Sequence, residues 1–273
     1  MQLQSLAEIE LRDAVQPLNR SAPSNFVPAL RSPALCRELL ALGVIDPALS
    51  KVVLLSGKVL GCCLVERFAA GALLSALSVE PLLQQRGGGR VLLEAVIQAA
   101  RAARIGQLRI EVSEGDASSL LTALHFVRQE TLHRLALLQP PSRSLFPTEQ
   151  FDQVTEIAVE EAIVALTAQP SWQPTPSAQP EPLRKLSKRL SAFRLGSDDR
   201  HATLLLDKER KLIWTLGGDS SLLAQLVVYA AAKHGAAFVD SLRDEDPAIE
   251  ALCEAGFTKL AVRAAYVLSL ESP

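Results

Sequence analysis

One succession of segments runs twice along these 273 residues. Three strand-like runs are followed by a glycine-containing turn, an apolar-faced helix, a strand, a short helix and a closing strand. In the first copy, Lys51–Leu55 and Val59–Glu66 flank Ser56-Gly57-Lys58, a hairpin turn, and Gly71–Val79 is the third strand. Gly89–Ala103 carries Leu92, Leu93, Val96, Ile97 and Ala100 at helical spacing. A strand at Gln107–Val112, a helix at Ala117–Val127 and a strand at Leu132–Leu138 complete it. The second copy places strands at Ser191–Leu195, Ala202–Leu206 and Leu212–Leu216 and a helix from Ser220. A strand at Ala236–Leu242, a helix at Ala248–Glu254 and a strand at Lys259–Leu270 follow. So long a repeated order points to duplication, and the mixture of strands and helices points to an α+β fold.

Outside the copies, Glu8–Ala14 alternates apolar and polar residues and predicts a strand. Ser32–Leu42 predicts a helix with Ser32 as N-cap and Pro33 at the first helical position. After Gln139-Pro140-Pro141-Ser142 the pattern breaks. Asp152–Gln169 predicts a helix, and the five prolines between Pro170 and Pro182 predict an exposed connector. The predicted domains are therefore residues 1–140 and 141–273.

With 48% hydrophobic and 21% charged residues, packed cores are expected rather than disorder. A net charge of −2 argues against a general nucleic-acid binder, which needs a basic surface. Cys36, Cys62, Cys63 and Cys253 form no C-x-x-C pair, so neither a zinc framework nor a disulfide scaffold is expected, and a reducing cytosol is the simpler setting. The four histidines lack the H-E-x-x-H spacing, and no metal is expected. The run MQLQSLAEIELRD has early acids and does not read as a signal peptide. The apolar stretch Ser220–Val239 contains Gln225, Lys233, His234 and Gly235 and reads as a buried helix, not a membrane span.

The segment Ser78-Val79-Glu80-Pro81-Leu82-Leu83-Gln84-Gln85-Arg86-Gly87-Gly88-Gly89-Arg90-Val91 is a strand, a proline turn, a polar glycine loop and a helix start. Glycines admit a ligand close to the backbone, and amides at a helix start converge on an anion. Arg86 and Arg90 add positive charge. No Gly-Lys-Ser/Thr follows, so this is not a Walker A loop, and Leu92 stands where a dinucleotide fingerprint has its third glycine. A plain surface turn is the structural alternative.

The segment resembles motif A of the GNAT superfamily of N-acetyltransferases, Val-x-Pro-x-x-Gln/Arg-x-x-Gly-x-Gly/Ala, through Val79, Pro81, Gln84, Gly87 and Gly89. The resemblance implies a mixed-sheet fold and acetyl-CoA, or another acyl-CoA, as cosubstrate. The pyrophosphate would lie on Gln84, Gln85, Arg86, Gly87, Gly88, Gly89 and Arg90, and the pantetheine arm along Leu77, Ser78 and Val79. A second family signature, Asn-x-x-Ala-x-x-Leu-Tyr-x-x-x-Gly-Phe, is matched by Ala117, Leu120 and Phe126 in one copy and by Ala248, Gly256 and Phe257 in the other. Ser171-Trp172-Gln173 and the run Val44–Ser50 are similar, more loosely, to tandem GNAT proteins of bacteria. The fold class that follows is two tandem GNAT-like domains, the second lacking the pyrophosphate loop, because Leu216-Gly217-Gly218-Asp219-Ser220-Ser221 replaces it and Asp219 would repel phosphate.

The resemblance implies an N-acyltransferase acting on a small-molecule or peptide amine, with no nucleic-acid or membrane partner. The protein would be either a monomer with pseudo-dimeric halves or a homodimer. The family tyrosine that protonates the departing thiolate is absent: Leu121 and Leu252 hold its positions. A non-catalytic acyl-CoA-binding protein is thus the alternative, and Tyr266, on the final strand, is the tyrosine to test. An ammonium acceptor must lose a proton. The strand before the loop has no acid, which leaves Glu111 and Glu114 as candidate bases, against roles as a surface residue and a helix cap.

Overall fold

In a computed structural model, residues 1–21, 32–68, 71–84, 86–113, 118–138, 148–169, 172 and 174–270 are described. The chain runs β1 (Gln2–Ser5), α1 (Leu11–Ala14), α2 (Gln16–Ser21), α3 (Pro33–Ala41), β2 (Lys51–Leu55), β3 (Lys58–Phe68), β4 (Gly71–Val79), α4 (Pro81–Gln84), α5 (Gly88–Ala102), β5 (Gln107–Ser113), α6 (Ser118–Ala123) and β6 (Val127–Ala136). It continues through β7 (Thr155–Ile157), α7 (Val159–Thr167), α8 (Pro180–Lys185), β8 (Leu190–Gly196), β9 (His201–Asp207), β10 (Leu212–Gly218), α9 (Ser220–His234), β11 (Phe238–Arg243), α10 (Ala248–Glu254) and β12 (Thr258–Ser269).

Most predicted elements are present. Ser32 caps α3, its side chain accepting from the Leu35 amide. Four expectations are corrected. The proline stretch ending at Pro182 is not an exposed connector, since Thr175, Pro176, Ala178 and Pro182 are buried in a 3-10 turn and the start of α8. Glu8–Ala14 is no strand: a 3-10 turn at Leu6–Glu8 leads into α1, and the buried Ala14, Val15 and Leu18 follow helical rather than alternating spacing. Asp152–Gln169 is not one helix, because β7 first pairs with β8 (Thr155↔Arg194, Ile157↔Ala192) and α7 starts only at Val159. The helix expected over Ala117–Val127 stops at Ala123, since His125 takes a left-handed conformation (φ 65°) and turns Phe126 back into the core.

The chain forms two compact units, and their boundaries are not the predicted 1–140 and 141–273. The first unit is Met1–Gln129 with Ala264–Pro273, and the second is Glu130–Arg263. Most of β6 thus lies in the second unit, paired with β11 (Ala136↔Phe238, Leu135↔Val239). The end of β12 lies in the first, where the Leu270 amide donates to the Gly106 carbonyl at 2.8 Å. The equivalent bond in the second unit runs from Leu137 to Ala237 at 2.9 Å. Strand periodicity identifies which face is buried but not which neighbour completes a sheet, so this exchange is not written in the linear order.

In the first unit the strand order is β1-β2-β3-β4-β5-β12. Helix α5 buries Leu93, Val96, Ile97 and Ala100 against Cys63, Val65, Ala72, Leu74, Leu108 and Ile110, and Leu92 joins Val53, Leu60 and Val79. Each such large side chain contributes roughly 1.5–3 kcal/mol when fully buried. In the second unit the order is β6-β11-β10-β9-β8-β7, with α9 and α10 packed on Leu135, Leu204, Ile213 and Val239.

Both units share one irregularity. The β3–β4 register shifts between Leu64↔Ala76 and Val65↔Leu74, leaving Ser75 as an extra residue. The β9–β10 register shifts between Leu206↔Ile213 and Leu205↔Thr215, leaving Trp214 extra. Such bulges increase local twist and bend the strand. Beside each bulge the parallel pairing ends: β4 with β5 at Leu74↔Ile110, and β10 with β11 at Ile213↔Val239.

Candidate functional site

In the first unit, β4 continues from the bulge to Val79 with its β3 side paired as far as Gly61↔Val79 and, among the described residues, no register with β5 beyond Leu74. The chain then makes the single turn α4 and enters α5 through Gly87, which is left-handed (φ 78°) and supplies no side-chain cap. The first amides of a helix have no partner within it, and their positive end favours an anion by typically ~0.3–1 kcal/mol. An open strand edge therefore runs into an uncapped start of a 15-residue helix.

The predicted loop residues divide by role. Gln84 is a brace: its side-chain amide donates to the Val79 carbonyl at 2.9 Å and holds the loop back against the end of β4. Gly88 is a packing glycine, because a Cβ there would stand 2.8 Å from Leu83 Cβ and 3.0 Å from the Leu83 carbonyl. At Gly87 a Cβ would meet nothing within 4 Å, and at Gly89 only Leu120 at 3.7 Å and Val79 at 4.0 Å. Their bare backbone thus faces space that the protein itself does not fill. Arg86 is exposed, and Arg90 is exposed and ion-paired with Glu94 at 2.8 Å. Ser78 is buried, its hydroxyl donating to the Pro17 carbonyl at 2.8 Å, and Leu77 lies partly buried between the two core clusters. Gln85 lies outside the described residues.

Of the two candidate bases, Glu114 also lies outside the described residues. Glu111 sits on β5 with its side chain 9% exposed, paired with Arg109 at 3.2 Å. It does not face open solvent, the alternative reading of the sequence. Arg109 was legible as its partner, since residues two apart on a strand share a face. Leu121 is fully buried in the first core. Tyr266, read from sequence as part of the second half, belongs to the first unit and packs in that same core.

The second unit treats the corresponding helix start differently. Asp219 caps α9, its carboxylate accepting from the Ser221 and Leu222 amides at 3.1 and 3.2 Å. Arg200 binds the same carboxylate at 2.7 Å. Hydrogen bonds from Arg200 and then Ser221 hold this carboxyl well below the usual carboxylate range. The place where an anion would bind is taken by the chain's own acid. Gly218 (φ 125°) has the His201 carbonyl where a Cβ would be, 2.2 Å away, so its glycine serves the turn.

No family model and no curated protein matches the chain in sequence. Solved structures do match it in fold. A protein from Pyrococcus horikoshii assigned to the acetyltransferases superposes with a TM-score of 0.74 at 16% identity, covering 98% of this chain and 89% of its own. A tandem GNAT protein from the clavulanic acid biosynthesis pathway gives 0.61 at 16% identity, over 96% and 94% of the two chains. A GCN5-related N-acetyltransferase from Sphaerobacter thermophilus gives 0.62 at 12% identity, over 99% and 96%. With a bulged strand, a parted parallel neighbour and a helix start in each unit, the chain has the tandem GNAT fold.

Proposed function

We propose that the protein is an acyl-CoA-dependent N-acyltransferase that moves an acetyl group from acetyl-CoA to an amine, with its cofactor site in the first unit. The observation that carries this is the uncapped start of α5 beside the open edge of β4. Acetyl-CoA would supply the activated thioester. The amides of Gly87, Gly88 and Gly89 would hold its pyrophosphate, with Arg86 and Arg90 alongside, and the backbone of Leu77–Val79 would align its pantetheine arm. Gln84 keeps that loop closed on Val79. The acceptor amine must be neutral to attack, and Glu111, oriented by Arg109, and Glu114 are the proposed proton acceptors. A free thiol has a pKa of about 8.5, so the thiolate can depart without a dedicated acid. Calorimetry with acetyl-CoA tests the site: Gly89→Glu should abolish binding, and unchanged affinity would refute it.

A second reading, a non-catalytic acyl-CoA-binding protein, is favoured by Leu121, which fills the core where the resemblance calls for a tyrosine. Coenzyme A release above background, with a panel of small amines and peptides, decides between the two. No helix among the described residues is long and apolar enough to cross a membrane.

A further inference from the structure

The second unit has a small, open cleft where β10 and β11 part. We infer that this cleft binds a small organic ammonium ion with an apolar body. Its lining includes the apolar side chains of Trp172, Trp214, Leu216 and Val239. Both indoles are held in place, Trp172 donating to the Thr215 hydroxyl at 3.0 Å and Trp214 to the Ser177 carbonyl at 3.0 Å. Rings fixed in this way can receive a cation on their faces. Arg210 already lies 5.3 Å over the Trp214 ring.

The lining also carries two carboxylates of different standing. Asp240 binds Arg134 at 2.5 Å and Arg263, so its charge is compensated. Asp246 uses one oxygen to accept from the Ala248 amide at 2.9 Å, and its other oxygen has no hydrogen-bond partner among the described residues. Arg243, a cation that acts on it, is ion-paired with Glu130. Burial pushes the Asp246 carboxyl up. An ammonium donor at that oxygen supplies a positive charge. Phosphate is disfavoured, because the carboxylate of Asp219 occupies the start of α9 beside Gly217 and Gly218.

The protein has only two tryptophans, and both line this cleft, so its tryptophan fluorescence reads occupancy without a label. Benzylamine titrated into the full chain should give a saturable change. Benzyl alcohol, of nearly the same shape but uncharged, should bind about tenfold more weakly or worse, since a charge-assisted hydrogen bond is typically worth ~1.5–3 kcal/mol. Asp246→Asn retains an oxygen for the Ala248 amide and should lose a similar factor for benzylamine. Should that variant fail to fold, the alcohol comparison decides alone. The inference is overturned if benzylamine gives no saturable change, if the alcohol matches the amine, if a folded Asp246→Asn keeps full affinity, or if coenzyme A competes. Because the first unit contains no tryptophan, none of these outcomes depends on acetyl-CoA binding there.

Discussion

Gly88 and Gly89 are neighbours at the start of α5, yet adding one methyl group to each should have opposite effects on the fold. In Gly88→Ala the new Cβ lies 2.8 Å from Leu83 Cβ, 3.0 Å from the Leu83 carbonyl and 3.0 Å from Val79 Cγ1. The first two atoms cannot swing aside as the end of a side chain can. Overpacking of this kind costs about 1–3 kcal/mol, offset by at most ~1 kcal/mol from the better helix propensity of alanine. A net loss of about 1–2 kcal/mol is expected. In Gly89→Ala the contacts are 3.7 and 4.0 Å and the backbone is helical, so stability should hold or rise by up to ~1 kcal/mol. The same methyl would stand where the proposed function brings a pyrophosphate, so acetyl-CoA affinity should fall. Urea denaturation gives the first quantity and calorimetry the second. If Gly89→Ala loses as much stability as Gly88→Ala, or binds acetyl-CoA as tightly as the wild type, the division of roles between these glycines is wrong.

Three further outcomes are expected. Asp219→Ala removes the cap of α9 and should cost about 1 kcal/mol at neutral pH, measured by urea denaturation. Since Asp219 is held below its unfolded pKa of about 3.9, this contribution is complete above that value and lost as the pH falls through the folded one, so wild type and variant should converge in acid. Glu111→Gln should slow acetyl transfer by ~10²–10⁴-fold if Glu111 is the base, with acetyl-CoA affinity retained; full turnover would make the Arg109–Glu111 pair structural. One thiol of four should react with a disulfide reagent in the folded protein: Cys253 is exposed, Cys36, Cys62 and Cys63 are buried, and burial pushes Cys63 up to about 12.

Much of the fold was legible because its signals are local. The helical spacing of Leu92, Leu93, Val96, Ile97 and Ala100 located α5, Ser32 located the start of α3, and Ala248–Glu254 is the tenth helix residue for residue. The short helices α1 and α2 were missed because four to six residues give periodicity too little length to separate helix from strand. In the site, the loop could be read from its glycines and proline. The bulges at Ser75 and Trp214 could not, because a bulge is a mismatch between two strands and neither strand contains it alone. The distinct tasks of Gly88 and Gly89 likewise depend on Leu83 and Leu120, which the linear spacing does not bring together.

The exchange of β6 and β12 bears on how this chain can be cut. A fragment ending near residue 140 would keep β6 without its partner β11 and would lose Ala264, Tyr266 and Leu268 from its own core. It would present two unpaired strand edges, those of β5 and β6, to other molecules, the condition under which sheets grow into aggregates. The complementary fragment would lack Leu135, which packs with α9 and α10. Each half, cut there, lacks a strand that the other carries. Separate expression of the halves would break strand pairings in both.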